Sequence, residues 1–332
     1  MISIPVEPPI TEYLHAKAAR QGIPLSGTFE LTPLCNMNCR MCYVRMSREQ
    51  QEAAHPLVRR DAWLDLARQA KEQGLLYLLL TGGEPLLHPD FREILTALHR
   101  MGLLVSVNTN GTLIDEEVVQ WLRQAPPVRM NVTLYGASDE TYDRLCRNPQ
   151  GFTQVTRAIR LLRDPGQVGR NDRFTPEEAA YYSARIESLM NGEEAFLERR
   201  RTQTDAGLCA EPGEDCGSLE GEGIRCRAGK CSFWVTWDGR LLPCGMLPDC
   251  GADVFALGFA QAWKQAAEAA AAIRLPAACS GCALRDQCKA CAAMARTESG
   301  AYHQVPEYRC RMAQAYGAAC RRVEEEIRSR KT

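Results

Sequence analysis

Three cysteines that follow a predicted strand constrain this chain more than any other feature. Cys35, Cys39 and Cys42 have the spacing C-x3-C-x2-C and come soon after the strand-like stretch Thr28–Thr32. Thiolates this close together can surround one corner of a compact metal centre. A cubane iron–sulfur cluster normally takes four thiolates, so three would leave one iron open to a further ligand. The alternatives are a zinc loop or three incidental buried cysteines.

Predicted strands and helices alternate around and after these cysteines. The second strand is a continuous apolar run, as expected for a strand that is buried on both faces. Alternation of this kind predicts a parallel sheet with right-handed crossovers, whose carboxyl-end loops carry the chemistry. We predict strands at 28–32, 75–81, 103–109 and 128–135, and helices at 57–73, 90–101, 115–124 and 138–162.

Three further motifs lie at the ends of these predicted strands. Gly82-Gly83-Glu84-Pro85 follows the second strand, Asn110 follows the third, and Thr133 lies near the end of the fourth. Glycines let a backbone approach a ligand closely, and a carboxylate can accept hydrogen bonds from an ammonium group. Each motif alone would also fit ordinary turn chemistry. Because all three lie at the ends of strands of one parallel sheet, we expect them at the same edge of the sheet as residues 35–42, here called the cysteine loop. Residues 82–85 are here called the glycine turn.

A second group of nine cysteines lies from Cys226 to Cys310. The C-x2-C pairs at 279–282 and 288–291 are separated by only five residues, which is short for a single tetrahedral zinc site. Eight of the nine would instead make two complete sets of four thiolates. The group begins next to a β-hairpin that Trp237-Asp238-Gly239 predicts.

Composition excludes several classes of protein. The formal net charge is −1 over 332 residues, so we expect no attraction to nucleic acid or to a membrane surface. The chain has no apolar run long enough to span a membrane, and its first 25 residues lack a secretory pattern. Sixteen cysteines without an export signal therefore predict a cytoplasmic protein. Exposed thiolates and clusters would require an oxygen-poor cell.

The cysteine loop and the glycine turn together resemble the signature of the radical S-adenosylmethionine (SAM) enzymes. The resemblance implies that Cys35, Cys39 and Cys42 hold a 4Fe–4S cluster whose open iron binds SAM. It also implies reductive cleavage of SAM to a 5′-deoxyadenosyl radical, which removes hydrogen from a substrate. The SAM contacts that it implies involve seven residues, namely Met41, Gly82, Gly83, Glu84, Pro85, Asn110 and Thr133.

The later cysteines resemble the SPASM domain, which follows the radical SAM core in many peptide- and protein-modifying enzymes. That domain carries auxiliary 4Fe–4S clusters. The resemblance assigns one cluster to Cys226, Cys231, Cys244 and Cys291. It assigns a second cluster to Cys279, Cys282, Cys288 and Cys310. If Cys231 is a spare thiol instead, the first auxiliary cluster has an open iron.

The predicted architecture is α/β. It is a partial (β/α) radical SAM barrel with a parallel sheet, plus a small cysteine-rich SPASM domain with a β-hairpin. Radical SAM cores usually have six strand–helix units, and this chain shows four before residue 220, so one sheet edge is left unpaired. Residues 165–201 could cover it, a second subunit in a homodimer could, or it could stay open to water; we expect residues 165–201 to cover it. The predicted segments are an N-terminal arm at 1–25, a shortened core at 26–163, a helical segment and linker at 164–220, the SPASM domain at 221–315 and a C-terminal helix at 316–332.

The resemblance predicts an enzyme that modifies a peptide or protein and receives electrons from a donor such as flavodoxin or ferredoxin. Two alternatives stay open. An anaerobic sulfatase-maturing enzyme would have an aspartate directly after the cysteine that matches Cys244, where this chain has Gly245. A non-catalytic iron–sulfur electron carrier would not need the ammonium-binding turn at 82–85.

Overall fold

A computed structural model describes residues 9–162, 192–202, 221, 223–280, 282–284, 288 and 291–329, together with six positions between 177 and 188. The chain divides into two compact units. The sheet unit comprises residues 15–172 and 227–270, and the C-terminal unit comprises residues 1–14, 173–226 and 271–332. Among the described residues, no helix is both long enough and apolar enough to cross a membrane.

The described elements follow one another in a regular order, with strands and helices alternating up to residue 132. In chain order they are α1 (Pro9–Gln21), β1 (Ser26–Glu30), α2 (Arg48–Ala54), α3 (Arg60–Glu72), β2 (Tyr77–Thr81), α4 (Phe91–Arg100), β3 (Leu104–Thr109), α5 (Glu116–Leu122), β4 (Arg129–Val132), α6 (Asp139–Cys146), α7 (Gly151–Leu162), α8 (Glu193–Thr202), β5 (Ser232–Val235), β6 (Arg240–Leu242), β7 (Ala252–Asp253), α9 (Val254–Leu257), α10 (Phe259–Ala272), α11 (Ala277–Ser280), α12 (Ala292–Ser299) and α13 (Glu307–Ser329).

The sheet unit contains seven strands in the order β4-β3-β2-β1-β5-β6-β7. The strands β1 to β5 are parallel, and β6 and β7 are antiparallel to their neighbours. The register places Thr28 between Leu79 of β2 and Trp234 of β5. The sheet ends at β4 on one side and at β7 on the other. The predicted parallel sheet is therefore confirmed, and among the described residues its two edge strands do not pair to close a barrel.

Alternation along the strands decides which side chains meet the helices. Phe29 of β1, Leu80 of β2 and Phe233 of β5 are buried in one core with Trp63 of α3 and Trp263 of α10. Full burial of a side chain of this size contributes about 1.5–3 kcal/mol to stability. Because side chains alternate between the two faces of a strand, the intervening residues point to the opposite face. That face is where the polar side chains of the strands lie.

Within the sheet unit, the structure differs from the sequence prediction at one helix and at the predicted hairpin. The helix predicted at 138–162 is two helices, because Arg147 adopts a left-handed conformation with φ 53° and Pro149 follows it. The predicted hairpin exists as β5 and β6, with Val235 paired to Leu241, but β5 also pairs in parallel with β1. The sheet thus contains a fifth parallel strand and runs across the domain boundary predicted at residue 221.

The C-terminal unit has its own small core. Ala319, Val323 and Ile327 on α13 form an apolar stripe that packs against Ala180 and Phe196. The helix α13 starts earlier than the predicted segment at 316–332. Part of the stretch expected to cover the sheet edge, residues 165–176, lies outside the described residues. The cover of that edge therefore stays a prediction.

Candidate functional site

The glycine turn after β2 lies directly against the start of the cysteine loop. The Gly83 amide donates to the Thr32 carbonyl at 2.7 Å, and the Glu84 amide donates to the Leu34 carbonyl at 2.8 Å. A Cβ on Gly82 would lie 2.5 Å from the Thr32 oxygen, and a Cβ on Gly83 would lie 2.5 Å from the Leu34 oxygen. Because both obstacles are backbone atoms, only glycine fits at either position. The lack of a side chain at Gly82 and Gly83 therefore leaves room for the cysteine loop. This holds whether or not a ligand also binds there.

The other side of the cysteine loop contacts the carboxyl end of α6. The Asn38 amide donates to the Cys146 carbonyl and the Arg40 amide donates to the Leu145 carbonyl, each at 3.0 Å. The last carbonyls of a helix have no partner within the helix, so the loop supplies their donors. Between these two contacts, the buried Met37 packs into an apolar cluster with α6 and α7. The loop is thus held by both neighbouring elements.

The three thiols of the loop differ in burial. Cys35 and Cys39 are half-buried and Cys42 is exposed. Burial raises the pKa of Cys35 to about 11. A hydrogen bond with Cys146 lowers the pKa of Cys39 to about 7 and raises the pKa of Cys146 itself. Cys146 was not among the predicted site residues. The only indication in the sequence was that Cys146 fitted neither of the two cysteine spacing patterns.

Glu84 is fully buried and connects the ends of two strands. Its Oε2 accepts from the Asn110 amide at 2.8 Å, and its Oε1 accepts from the Thr109 hydroxyl at 2.9 Å and from the Leu86 amide at 3.1 Å. Burial raises the pKa of this carboxyl to about 7. A carboxylate has roughly four acceptor positions, so one is left on Oε2. The predicted contact between Glu84 and an ammonium group therefore stays open and stays a prediction.

Asn110 extends this network from Glu84 to the cysteine loop. Its Nδ2 donates to Asn36 Oδ1 at 2.9 Å and approaches Cys35 Sγ at 3.7 Å. Its Oδ1 accepts from the Thr112 amide at 2.9 Å and from the Thr112 hydroxyl at 2.7 Å. Asn110 thereby connects Cys35, a predicted cluster ligand, to the buried carboxylate of Glu84. Its side chain approaches Cys35, and its backbone amide donates to Glu84. This continuous network is the central feature of the site.

The remaining predicted contacts lie around this network. Pro85 is buried at the start of a short 3-10 turn. Met41 is exposed on the cysteine loop itself. Thr133 follows β4, and its amide donates to the Thr109 carbonyl at 3.0 Å. The structure therefore gathers the glycine turn and Asn110 around the cysteines, while Thr133 belongs to the next strand along.

Glu30 is a buried carboxyl beside Tyr43, which follows the cysteine loop, and it was not among the predicted site residues. It is the last residue of β1, and it is only 4% exposed. Burial raises the pKa of Glu30 to about 7. Burial also raises the pKa of the neighbouring Tyr43 to about 12, and the charge of Glu30 adds to that shift. The signal was present in the alternation, because Phe29 and Leu31 on the helix face place Glu30 on the polar face.

Four cysteines of the C-terminal unit line one cavity, here called the four-cysteine cavity. They are the four that the SPASM resemblance assigned to the second auxiliary cluster, and with the other lining residues the set is Cys279, Cys282, Leu284, Cys288, Val305, Pro306, Arg309, Cys310 and Ala313. Over the described residues, no three Cys, His, Asp or Glu side chains meet closely enough to hold a single metal ion. The donor set still fits a cubane cluster, because each of its four irons takes a separate thiolate.

The other predicted auxiliary ligands are divided between the two units. Cys231 is buried just before β5, and its carbonyl accepts from the Ser26 amide at 3.1 Å. Cys244 follows β6 and is half-buried. Cys226 and Cys291 belong to the C-terminal unit. The grouping of these four cysteines into one site therefore stays a prediction.

Comparison with known proteins places the cysteine loop in a family. Residues 29–170 match the family model described as the Radical SAM superfamily. The chain is 32% identical over 145 residues to the antilisterial bacteriocin subtilosin biosynthesis protein AlbA of Bacillus subtilis (strain 168). This match covers 43% of this chain and 32% of AlbA. It is 35% identical over 147 residues to the AdoMet-dependent heme synthase of Methanosarcina barkeri (strain Fusaro / DSM 804). That match covers 44% of this chain and 41% of the heme synthase. The chain thus spans less than half the length of these relatives.

Two solved structures share the fold over most of the chain. Streptococcus suis SuiB bound to the precursor peptide SuiA has a TM-score of 0.62 at 15% identity, covering 93% of this chain and 82% of SuiB. Native anSMEcpe with bound AdoMet has a TM-score of 0.60 at 15% identity, and the match covers 93% of this chain and 100% of anSMEcpe. At these identities the likeness concerns the fold alone. The family model identifies a Radical SAM superfamily domain at residues 29–170, and the cysteine loop lies within that range.

Proposed function

We propose that this protein is a radical SAM enzyme that removes a hydrogen atom from a peptide or protein substrate and so matures it. The observation that carries the proposal is the network from Cys35 through Asn110 to Glu84, since it holds a cluster-binding loop and a glycine turn as one hydrogen-bonded unit. When bound, a 4Fe–4S cluster supplies the electron that divides SAM into methionine and a 5′-deoxyadenosyl radical.

Each part of the network has a proposed role toward these cofactors. Cys35, Cys39 and Cys42 would hold the cluster that binds SAM. The turn at 82–85 would contact the amino group of SAM, with Glu84 using its remaining acceptor position. The other proposed SAM contacts are Met41 near the adenine, and Asn110 and Thr133 near the ribose or carboxylate.

Two of the related proteins support a peptide substrate. AlbA is named for bacteriocin biosynthesis, and SuiB has been solved with its precursor peptide SuiA. Under this proposal the eight later cysteines hold two auxiliary clusters, and a flavodoxin or ferredoxin supplies the electrons. We place the reaction in the cytoplasm of an oxygen-poor cell, because clusters and exposed thiolates need reducing surroundings.

Sulfatase maturation is the second candidate, since anSMEcpe shares the fold. The geometry at Gly245 counts against it. A Cβ at this position would lie 2.8 Å from the ring of Trp234, so an aspartate there would require the tryptophan to move. A peptide maturase does not need an acid at this position, and we therefore favour it.

The proposal is tested by anaerobic reconstitution of the full chain, reduction, and measurement of 5′-deoxyadenosine formed from SAM. We expect product from the wild type, with about twelve irons bound in three cubanes. Replacement of Cys35, Cys39 and Cys42 by Ala should leave about eight irons and abolish the product. Cys250→Ala, at a cysteine outside both patterns, is the matched control and should retain activity. A fully loaded wild type that forms no 5′-deoxyadenosine would leave only the electron-carrier alternative.

A further inference from the structure

A buried donor that lines the four-cysteine cavity has no acceptor among the described residues. Arg309 precedes Cys310 in the first turn of α13 and lines the cavity. Its Nη1 donates to Met312 Sδ at 3.0 Å. Its Nε is buried, and within the described part of the chain no group accepts a hydrogen bond from it. Buried donors without acceptors are rare in native proteins, and each calls for an explanation such as a bound group.

The lining of the cavity indicates what that group is. Apart from Arg309 and the four cysteines, the described side chains that line it are those of Leu284, Val305, Pro306 and Ala313. None of these contains an oxygen atom, so the described part of the wall offers Arg309 no oxygen acceptor from a side chain. Sulfur is the acceptor that the wall does provide. A guanidinium donor beside four thiols is suited to a group that is rich in sulfur and negatively charged.

We infer that Arg309 donates its Nε–H to a sulfur of an iron–sulfur cluster in the four-cysteine cavity and raises the reduction potential of that cluster. The inference rests on the proposed function only in assuming that these four cysteines hold a cluster. A cluster with four thiolate ligands carries negative charge that increases on reduction. A cation and a hydrogen bond at its sulfurs therefore stabilise the reduced form more than the oxidised form.

The amino terminus of α13 acts in the same direction. The helix starts at Glu307, so Cys310 lies in its first turn, where the helix dipole favours negative charge. Cys310 and Arg309 thus present a thiolate ligand and a donor from adjacent positions of one helix. Arg309 is in this sense a positioning and tuning residue.

The test uses the full chain after anaerobic reconstitution, with iron content and cluster midpoint potentials measured by a redox titration followed by EPR. Arg309→Met removes both charge and donor, and Arg309→Lys keeps the charge but removes the Nε–H. Arg311→Met is the matched control, because Arg311 lies on the same helix and its half-exposed side chain pairs with Glu177 at 3.4 Å. We expect Arg309→Met to keep about twelve irons and to shift one midpoint potential to a more negative value. Arg309→Lys should shift it less, and Arg311→Met should not shift it.

Each other outcome also decides the matter. Wild-type potentials in a fully loaded Arg309→Met overturn the inference. If Arg309→Met loses iron, Arg309→Lys decides: a loaded protein with a lowered potential supports the inference, and a loaded protein with the wild-type potential overturns it. Loss of iron from both variants, with Arg311→Met intact, assigns Arg309 to packing alone and also overturns it. Replacement of all four cavity cysteines by Ala should remove about four irons. If it does not, the proposed auxiliary cluster is wrong, which is a separate failure from that of Arg309.

Discussion

The cysteine loop of the sheet unit and the four-cysteine cavity of the C-terminal unit both gather thiols, but they differ in how their polar groups are satisfied. At the cysteine loop, Glu84 and Asn110 join strand ends and loop through hydrogen bonds that the protein supplies itself. In the cavity, the Nε of Arg309 is buried and finds no acceptor among the described residues. The polar groups beside the loop thus satisfy one another within the protein, whereas the cavity has a buried donor that the proposed cluster would satisfy.

This difference has a thermodynamic consequence. Where a metal group completes the hydrogen bonds of a buried site, its binding free energy becomes part of the folding free energy. If the four-cysteine cavity holds the proposed cluster, the C-terminal unit should therefore gain more stability from cluster binding than the sheet unit does. The five predictions below test or sharpen this contrast, beginning with the largest expected effect.

Removal of all iron by chelation should open the C-terminal unit far more than the sheet unit. Amides around Cys279, Cys288 and the start of α13 should then exchange rapidly with solvent, because local opening there costs little free energy. Amides of β1, β2 and β3 should stay protected by their core. Hydrogen exchange followed by mass spectrometry, with and without iron, measures both regions in one sample. Equal loss of protection in the two units would break the comparison.

Glu84→Ala should be the most destabilising single substitution in the cysteine-loop region. It leaves the Asn110 amide, the Thr109 hydroxyl and the Leu86 amide buried without an acceptor, at about 1–3 kcal/mol each, although the three costs are not fully additive. We expect a loss of about 3–5 kcal/mol in the free energy of unfolding. Urea denaturation measures it, with exposed Glu93→Ala on α4 as a control that should change stability by less than about 0.5 kcal/mol.

The same variant also tests SAM binding. If Glu84 contacts the ammonium group, SAM affinity should fall by roughly ten- to a hundredfold while the cysteine cluster stays loaded. Titration of reconstituted protein with SAM measures this loss. An unchanged affinity at full iron content would restrict Glu84 to its structural connection between β2 and β3.

Gly83→Ala should cost less, since it introduces one methyl group. That methyl group would lie 2.5 Å from the Leu34 oxygen and 2.7 Å from the Pro33 oxygen. Overpacking against backbone typically costs about 1–3 kcal/mol, and here it would also displace the cysteine loop. Gly223→Ala is the matched control, because nothing lies within 4 Å of its added Cβ. A Gly83→Ala variant as stable as this control would show that the turn and the loop are not in close contact.

The last prediction concerns pH. Burial raises the pKa of Glu30 to about 7, above its ordinary value of 4.5. Between these values the folded state binds more protons than the unfolded state, so stability should fall as pH rises from about 4.5 to 7. The slope from this one group is at most about 1.4 kcal/mol for each pH unit. Denaturation of wild type and Glu30→Gln across this range should show a shallower fall in the variant, and parallel curves would contradict the assignment.

Local patterns account for the parts of the molecule that could be predicted from the sequence. The apolar run of β2, the glycine turn and the cysteine spacing each lie within a few residues, so their elements and even the N-cap of α5 by Asp115 could be predicted. The pairing of β5 with β1 could not, because it joins residues about 200 positions apart. The break between α6 and α7 was present in the sequence at Pro149, yet the helical period on both sides concealed it.

Burial explains what else was missed at the sites. Cys146, Glu30 and Arg309 are ordinary residues in the printed sequence, and only their neighbours in the fold make them chemically distinctive. The resemblance to the SPASM domain grouped the four cysteines that line the four-cysteine cavity, a grouping that spacing alone could not show. Neither spacing nor resemblance could identify the donors and carboxylates around the predicted ligands, because tertiary packing brings them there.

The contact between the glycine turn and the cysteine loop limits how this site can be rebuilt or can diverge. The amides of Gly83 and Glu84 pair with the carbonyls of Thr32 and Leu34, so the two segments are in register like neighbouring strands. An insertion in either segment would move the amides of the turn away from the carbonyls of Thr32 and Leu34 that accept their hydrogen bonds. A graft of the cysteine loop onto a different sheet should therefore succeed only if residues 81–85 are transplanted together with residues 31–42.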